Sequence, residues 1–162
     1  GLVGSEMCIR DRSEAVHLDA MNVAYSIRWG RGMNKAPPEW DRLKSAIEYF
    51  RAYDVEIHIH VPTWARKSIE SLFEALNDDS VSLHYIYIPS SDKERDDKDL
   101  LAWALLTDGY IVSNDTMQSH IENGSINQDW FSIRRIPYHF TKTGEFRPKV
   151  PTDFPLPLEE KE

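Results

Sequence analysis

The chain has 162 residues, of which 41% are hydrophobic, and its formal net charge is −8. This length suits one domain with a substantial core, and no apolar run approaches the roughly 20 residues that a membrane span needs, so we expect a soluble globular protein. The negative charge argues against a protein that coats nucleic acid through a global basic field, although an enzyme with a local basic groove is compatible with it.

The opening segment, residues 1–12, has an unusual composition and contains Cys8, the single cysteine of the chain. One cysteine excludes an internal disulfide framework and a cysteine-rich zinc site, and we expect a cytoplasmic setting. The stretch from Met7 to Asp11 resembles the translated end of a transposase sequencing adaptor, and it lacks the apolar core of a signal peptide. We therefore predict that residues 1–12 are a non-native tail; a short native disordered tail is the alternative.

From Glu14 onward, strand patterns alternate with helix patterns, which is typical of βα units around a mostly parallel sheet. We therefore predict an α/β, Rossmann-like domain over residues 13–150, with α/β/α layers, followed by a Pro-rich acidic tail over 151–162 that is ordered only in part. In chain order, the hydrophobic periodicity predicts a strand at 15–19, a helix at 38–53, a strand at 55–61, a helix at 65–77, a strand at 82–88, a helix ending at Leu106, a strand at 110–113, a helix at 128–135 and a hairpin at 138–148.

Carboxylates occur at three places that this order brings to one edge of the sheet. Asp19 closes the first strand, Asp115 follows the fourth, and Asp96 and Asp97 open the helix after the third. Ligands of an open α/β sheet bind outside the carboxyl ends of its strands. Asp96 and Asp97 precede the apolar face of their helix by one turn and should point to that edge. We expect that face to bury Leu100, Leu101, Ala104 and Leu105, and we expect Asp99, on another side, to be solvated.

Each of these acids also has a purely structural explanation, because carboxylates cap helices and favour their first turn. Four converging carboxylates would nevertheless repel one another. A divalent cation with oxygen ligands, Mg²⁺ or Mn²⁺, makes such a cluster tolerable. A cation of this kind polarises a phosphoryl group and activates a water molecule for in-line attack. The residues alone therefore indicate metal-dependent phosphodiester chemistry.

Four sequence blocks, in matching order, resemble the Regnase-like ribonucleases, NYN domains of the PIN superfamily that occur beside CCCH zinc fingers in animal proteins. The resemblance covers nearly all of residues 15–157. Its most specific part is the "DD" pair followed at the right distance by "TDG" and "VSND". The blocks are "LDAMNVA" at 18–24, "VEIHIHVPTWAR" at 55–66, "DDKDLLAWALLTDGYIVSNDT" at 96–116 and "WFSIRRIPYHFTKTGEFRP" at 130–148.

The resemblance implies a PIN-like fold and a metal-dependent endoribonuclease that cleaves single-stranded or loop RNA. It implies that the catalytic, metal-binding acids are Asp19, Asp96, Asp97 and Asp115, with Asn22 as a polar partner of the first. The family often has a further acid just past the "SNDT" block, where this chain has Gln118 and Ser119. The CCCH finger is absent from this chain, so RNA selectivity would come from this domain or from a partner.

RNA binding requires phosphate contacts and stacking surfaces. Basic residues follow the second strand, at the same edge as the acids, and others lie in the loop after the first strand and in the last helix. Ordinary solvated charges are the alternative, and the one aromatic candidate could equally pack against a helix. The candidates for substrate contact are Trp64, Arg66, Lys67, Arg28, Arg31, Arg134 and Arg135.

Other interpretations are weaker. His58 and His60 share one strand face and could suggest a metal pair, but burial of that face under helices explains them better. A non-catalytic RNA-binding PIN-like domain is the main alternative function, and the intact acid set argues against it. A receiver-type signalling domain would need an acid pair after the first strand and a lysine near the last one, and neither is found. The sequence leaves self-association open.

Overall fold

The computed structural model describes residues 14–25, 38–76 and 81–161. Five strands form one sheet in the order β3-β2-β1-β4-β5, and every neighbouring pair in it is parallel. These strands are β1 (Glu14–Asp19), β2 (Val55–Pro62), β3 (Val81–Ile86), β4 (Tyr110–Val112) and β5 (Arg135–Ile136). The helices are α1 (Ala20–Ala24), α2 (Trp40–Arg51), α3 (Arg66–Leu76), α4 (Arg95–Thr107), α5 (Gln118–Glu122) and α6 (Gln128–Arg134).

A separate hairpin and two short 3₁₀ turns complete the described chain. Strands β6 (Tyr138–Phe140) and β7 (Phe146–Pro148) pair in antiparallel fashion. The 3₁₀ turns cover Thr63–Ala65, between β2 and α3, and Leu158–Lys161 near the end of the chain. No helix in the described ranges is long and apolar enough to cross a bilayer.

The sheet is covered on both faces, because successive side chains of a strand point to opposite sides. On one face, Leu18 and its neighbours pack with Phe50 of α2 and Ile69 of α3 in a large apolar cluster. On the other face, Ile111 packs with Leu100 of α4 and Phe131 of α6. These two clusters make the three layers of the predicted α/β/α arrangement, so the predicted fold class is confirmed.

The burial predicted for α4 is wrong in two details. Leu100, Leu101 and Ala104 are buried as expected, but Leu105 is 49% exposed. Asp99, expected in solvent, is instead partly buried, and its carboxylate lies 3.3 Å from Nδ1 of His60. The buried side of α4 therefore includes Asp99, which faces β2, and excludes Leu105.

The segment predicted as a C-terminal tail contributes to the main core. Phe154 is 7% exposed, and its ring lies 5.0–5.9 Å from the rings of Phe50, Tyr53 and Tyr110. The backbone N–H of Leu158 donates to the carbonyl of Ala52 at 2.8 Å. The packed structure thus continues beyond residue 150, the boundary that the sequence suggested.

Candidate active site

The acidic edge is centred on β1 and β4, which are neighbours in the sheet. Their register pairs Leu18 with Val112, so Asp19 and Ser113 follow side by side. Ser113 Oγ donates to Asp19 Oδ2 at 3.0 Å. The backbone N–H of Asn22 donates to the other carboxylate oxygen at 3.4 Å, so Asp19 also caps α1. Asp19 is therefore both a helix cap and the end of a central strand, and it is only 9% exposed.

Asn22 connects the ends of three segments. Its Oδ1 accepts the backbone N–H of Asn114 at 2.9 Å and the hydroxyl of Tyr138 at 2.6 Å. Asn114 in turn donates through Nδ2 to the carbonyl of Tyr138 and accepts the N–H of Tyr138 at Oδ1. These bonds join α1, the turn after β4 and the start of β6. They hold the backbone immediately before Asp115 in place.

The other acids reach this edge from α4 and from the turn after β4. Asp96 and Asp97 lie in the first turn of α4. Asp115 Oδ1 accepts the N–H of Met117 at 2.8 Å, just before α5 begins, so Asp115 also stabilises its own turn. Asp97 Oδ2 lies 3.8 Å from Nε2 of His120, a residue of α5 that is 2% exposed.

The charges of these acids act on one another. Burial, and next the Asp97 carboxylate, raises the pKa of Asp19 to about 7. Burial, followed by Asp96 and Asp115, raises the pKa of Asp97 to about 6. The pKa of Asp96 is also raised, chiefly by burial. Asp96, Asp97 and Asp115 therefore share one electrostatic environment with Asp19; the sequence predicted this convergence from two strand ends and one helix start.

The donor set at this edge suits a hard divalent cation. It offers carboxylate oxygens whose mutual repulsion a cation would relieve. His120 adds a buried Nε2 that has no hydrogen-bond partner and faces Asp97. Within the described ranges, no three histidine, cysteine or carboxylate side chains form a ready-made metal cage. Mg²⁺ is commonly held by one or two protein carboxylates and keeps several water ligands. A looser group of acids is therefore sufficient to hold it.

Three of the proposed substrate contacts lie on the β2 side of the acids. Trp64, in the turn after β2, is 63% exposed. Arg66 stacks its guanidinium 4.2 Å from the centre of the Tyr85 ring and lies 3.8 Å from Glu70. Lys67 is exposed in the first turn of α3. Because β2 neighbours β1, these residues are at the same edge of the sheet as Asp19.

Arg134, the last residue of α6, and Arg135, the first of β5, contact different ends of β4. Arg135 Nη1 donates to the carbonyl of Ser113 at 3.2 Å and so reaches the acidic edge. Arg134 bonds Asp108 at 2.8 Å and lies over the Tyr110 ring, at the opposite end of β4. The structure therefore does not bring Arg134 to the acids, because its guanidinium is held by Asp108 and the Tyr110 ring. Arg28 and Arg31 lie outside the described residues.

Sequence reasoning missed Ser113 and His120, and it missed the extent of a histidine cluster under α4. His17 Nδ1 lies 2.8 Å from His60 Nε2, and His58 Nδ1 lies 2.8 Å from His84 Nε2. The rings of His60 and His84 stack, and Trp103 of α4 packs on them. Burial lowers the pKa of His17, His58 and His84. The cluster is a packed layer in which His58 and His60 are buried on one strand face, as expected, and the strand register was needed to find its other members.

Comparison with known proteins gives one family match and several structural matches. The model of the Zc3h12a-like Ribonuclease NYN domain matches residues 12–154. No curated protein matches the sequence. Two solved structures of nuclear proteinaceous (protein-only) RNase P 2 from Arabidopsis thaliana match 95% of this chain, with TM-scores of 0.62 and 0.60 at 18% and 16% identity. The match covers 33% and 34% of those chains, so this chain spans about a third of their length.

Proposed function

The chain belongs to the Zc3h12a-like ribonuclease NYN domain family, and from this premise we propose that it is a divalent-metal-dependent endoribonuclease that cleaves single-stranded or loop RNA. The observation that carries the proposal is the burial of Asp19 beside other carboxylates, with its pKa raised to about 7. A carboxylate that only stabilised the fold would gain nothing from this repulsion. A bound cation would remove it.

Under this proposal, Asp19, Asp96, Asp97 and Asp115 hold Mg²⁺ or Mn²⁺. When bound, the cation would polarise the phosphoryl group and lower the pKa of a water molecule. Asp19 Oδ2 is engaged by Ser113 at 3.0 Å, whereas Oδ1 has only the longer 3.4 Å contact with Asn22, so Oδ1 is the freer ligand atom. Asp115 uses Oδ1 for the N–H of Met117, which leaves Oδ2 for the cation.

The protein residues around the acids orient the reacting groups. Asn22 fixes the turn that carries Asp115, through its bonds to Asn114 and Tyr138. On the β2 side, Trp64 offers an exposed ring for stacking on a base, and Arg66 and Lys67 offer positive charge for phosphates. Unstacked bases of single strands and loops are the ones that can use such a ring.

The proposal is tested by incubating a labelled single-stranded RNA with the protein and Mn²⁺ or Mg²⁺, and in parallel with EDTA. Wild type is expected to cleave only with the metal, and Asp19→Asn and Asp115→Asn are expected to lose at least about 100-fold in rate, as when a group that stabilises charge at a reacting centre is removed. Asp129→Asn, an exposed acid of α6, is the matched control and should cleave like wild type. Metal-independent cleavage, or equal rates for all four proteins, would contradict the proposal.

A further inference from the structure

A groove runs along the free edge of the sheet, beside β5, on the side of the acids opposite to Trp64. Its volume is about 870 Å³, and it lies between α5, α6 and the segment after β7. The residues of its wall that matter here are Thr116, Gln118, Ile133, Arg135, Lys149 and Asp153.

The groove begins at the acidic edge. Thr116 follows Asp115 directly, and Gln118 is two residues further on, so the Asp115 turn forms one end of the groove wall. Arg135 is fixed there by its bond to the Ser113 carbonyl, and Ser113 in turn bonds Asp19. A chain that leaves the acids past Asp115 therefore enters the groove directly.

The charge of the groove is positive at this end, although the whole chain carries −8. Among the described residues, neither Arg135 nor Lys149 has a carboxylate at ion-pair distance, in contrast to Arg134, which is paired with Asp108. The acid of the groove wall, Asp153, lies at the far end, near Tyr110 at the start of β4. Two positively charged side chains without a carboxylate partner among the described residues, next to a proposed site for phosphodiester chemistry, favour a polyanion as the ligand of the groove.

The groove also offers the surfaces that a nucleotide needs besides charge. Ile133 is 62% exposed and provides an apolar patch for a base or ribose. Thr116 and Gln118 provide hydroxyl and amide groups, which can donate and accept hydrogen bonds. Because the groove starts beside the acids proposed to cleave RNA, its cationic end, apolar patch and neutral hydrogen-bonding groups favour a single nucleic acid strand over an acidic peptide.

We propose that this groove binds the part of a single-stranded RNA that extends past Asp115 from the scissile phosphate, with Lys149 and Arg135 on its phosphates. The inference rests on the proposed ribonuclease function and extends it. It gives the substrate a path across the whole edge of the sheet, from Trp64 on the β2 side, over the acids, to Lys149 beyond β5.

The first test measures binding without cleavage. Fluorescence anisotropy of a labelled 12-nucleotide RNA in EDTA compares Lys149→Gln with Lys142→Gln, an exposed lysine of the β6–β7 turn outside the groove wall. Lys149→Gln is expected to weaken binding about fivefold at low salt and to reduce the slope of log K against log salt by about 0.7, the value for one phosphate contact on a single strand. Lys142→Gln should change neither quantity. If the two variants behave alike, the groove is not an RNA site.

The second test locates the RNA and separates this inference from the proposed function. Cross-linking of RNA that contains 4-thiouridine, followed by mass spectrometry, is expected to label groove residues such as Ile133; labels only on the β2 side would overturn the inference. In cleavage assays, Lys149→Gln should raise KM about fivefold and leave kcat within about twofold. If wild type does not cleave with either metal, the ribonuclease proposal fails, and the binding and cross-linking results still decide whether the groove holds RNA.

Discussion

The substitution Asp19→Asn is expected to stabilise the metal-free protein while it abolishes cleavage. Asp19 is 9% exposed, and burial together with Asp97 raises its pKa to about 7, from an ordinary value near 3.8. The folded state therefore binds a proton more tightly than the unfolded state does. Stability that is present at pH 4 is lost as the pH rises toward 7, because the charged carboxylate is the disfavoured form in the folded protein.

The magnitude follows from the size of this pKa shift. One pKa unit corresponds to about 1.36 kcal/mol, so the shift of Asp19 amounts to about 4 kcal/mol at pH 8 as an upper bound. Asparagine has the same shape and keeps one oxygen to accept a hydrogen bond from Ser113 or Asn22, so we expect most of this energy to be regained. At pH 5, where Asp19 is largely protonated, the gain should shrink to about 1–2 kcal/mol.

The assay is urea unfolding followed by tryptophan fluorescence, in EDTA at pH 8 and pH 5, for wild type, Asp19→Asn and the control Asp129→Asn. The free energies of unfolding are extrapolated linearly to water. Mn²⁺ should raise the stability of wild type more than that of Asp19→Asn, since only wild type has the full acid set for the cation. A variant less stable than wild type at pH 8 without metal would refute the reasoning and would make Asp19 chiefly a helix cap.

Three further predictions concern the sheet, the histidine layer and the substrate side. A methyl group on Gly109 would stand 2.8 Å from the Ala15 carbonyl oxygen, so Gly109→Ala should lower the free energy of unfolding by about 1–3 kcal/mol in urea titrations. Burial lowers the pKa of His17 to about 2 and that of His84 to about 4. Because histidine in the unfolded chain binds a proton near pH 6.5, the free energy of unfolding should fall as the pH drops from 6.5 toward 4. This fall, measured by urea unfolding, should be less steep in His84→Gln than in wild type. Trp64→Ala should weaken RNA binding by about 1–3 kcal/mol in anisotropy titrations and leave the urea midpoint unchanged, since the ring is 63% exposed.

The hydrophobic pattern was sufficient to predict the layers of the fold, but not which residues at the flanks of a helix are buried. Leu100, Leu101 and Ala104 define one face of α4, and that face is buried as predicted. Trp103 and Leu105 lie on opposite flanks of the same face, so periodicity alone does not say which of them is covered. The structure covers Trp103, because the histidine rings of β2 and β3 lie on that side. That choice depends on strand order, which local sequence does not contain.

The same limit explains which site residues could be predicted. Asp19 and Asp115 follow strands directly, and parallel strands end at one edge, so their convergence follows from the chain order. Ser113 and His120 act through contacts that cross between elements, with Asp19 and with Asp97. Arg134 and Arg135 are adjacent in sequence, yet they reach opposite ends of β4: Arg134 ends α6 and bonds Asp108, whereas Arg135 begins β5 and bonds the carbonyl of Ser113.

The structure also bears on whether Asp19 is only a helix cap, because it caps α1 and its charge also interacts with those of Asp97 and Asp96. A carboxylate that caps a helix normally has a lowered pKa, since N–H groups and the helix dipole favour its charged form. Asp19 accepts hydrogen bonds from Ser113 and Asn22, and both lower its pKa, but burial and the neighbouring Asp97 raise it to about 7. If residue 19 served only as a helix cap, a neutral asparagine or serine would stabilise the fold better than the buried aspartate does. Under the proposed function, the carboxylate of Asp19 is explained by a cation that it would share with Asp97, rather than by the helix that it begins.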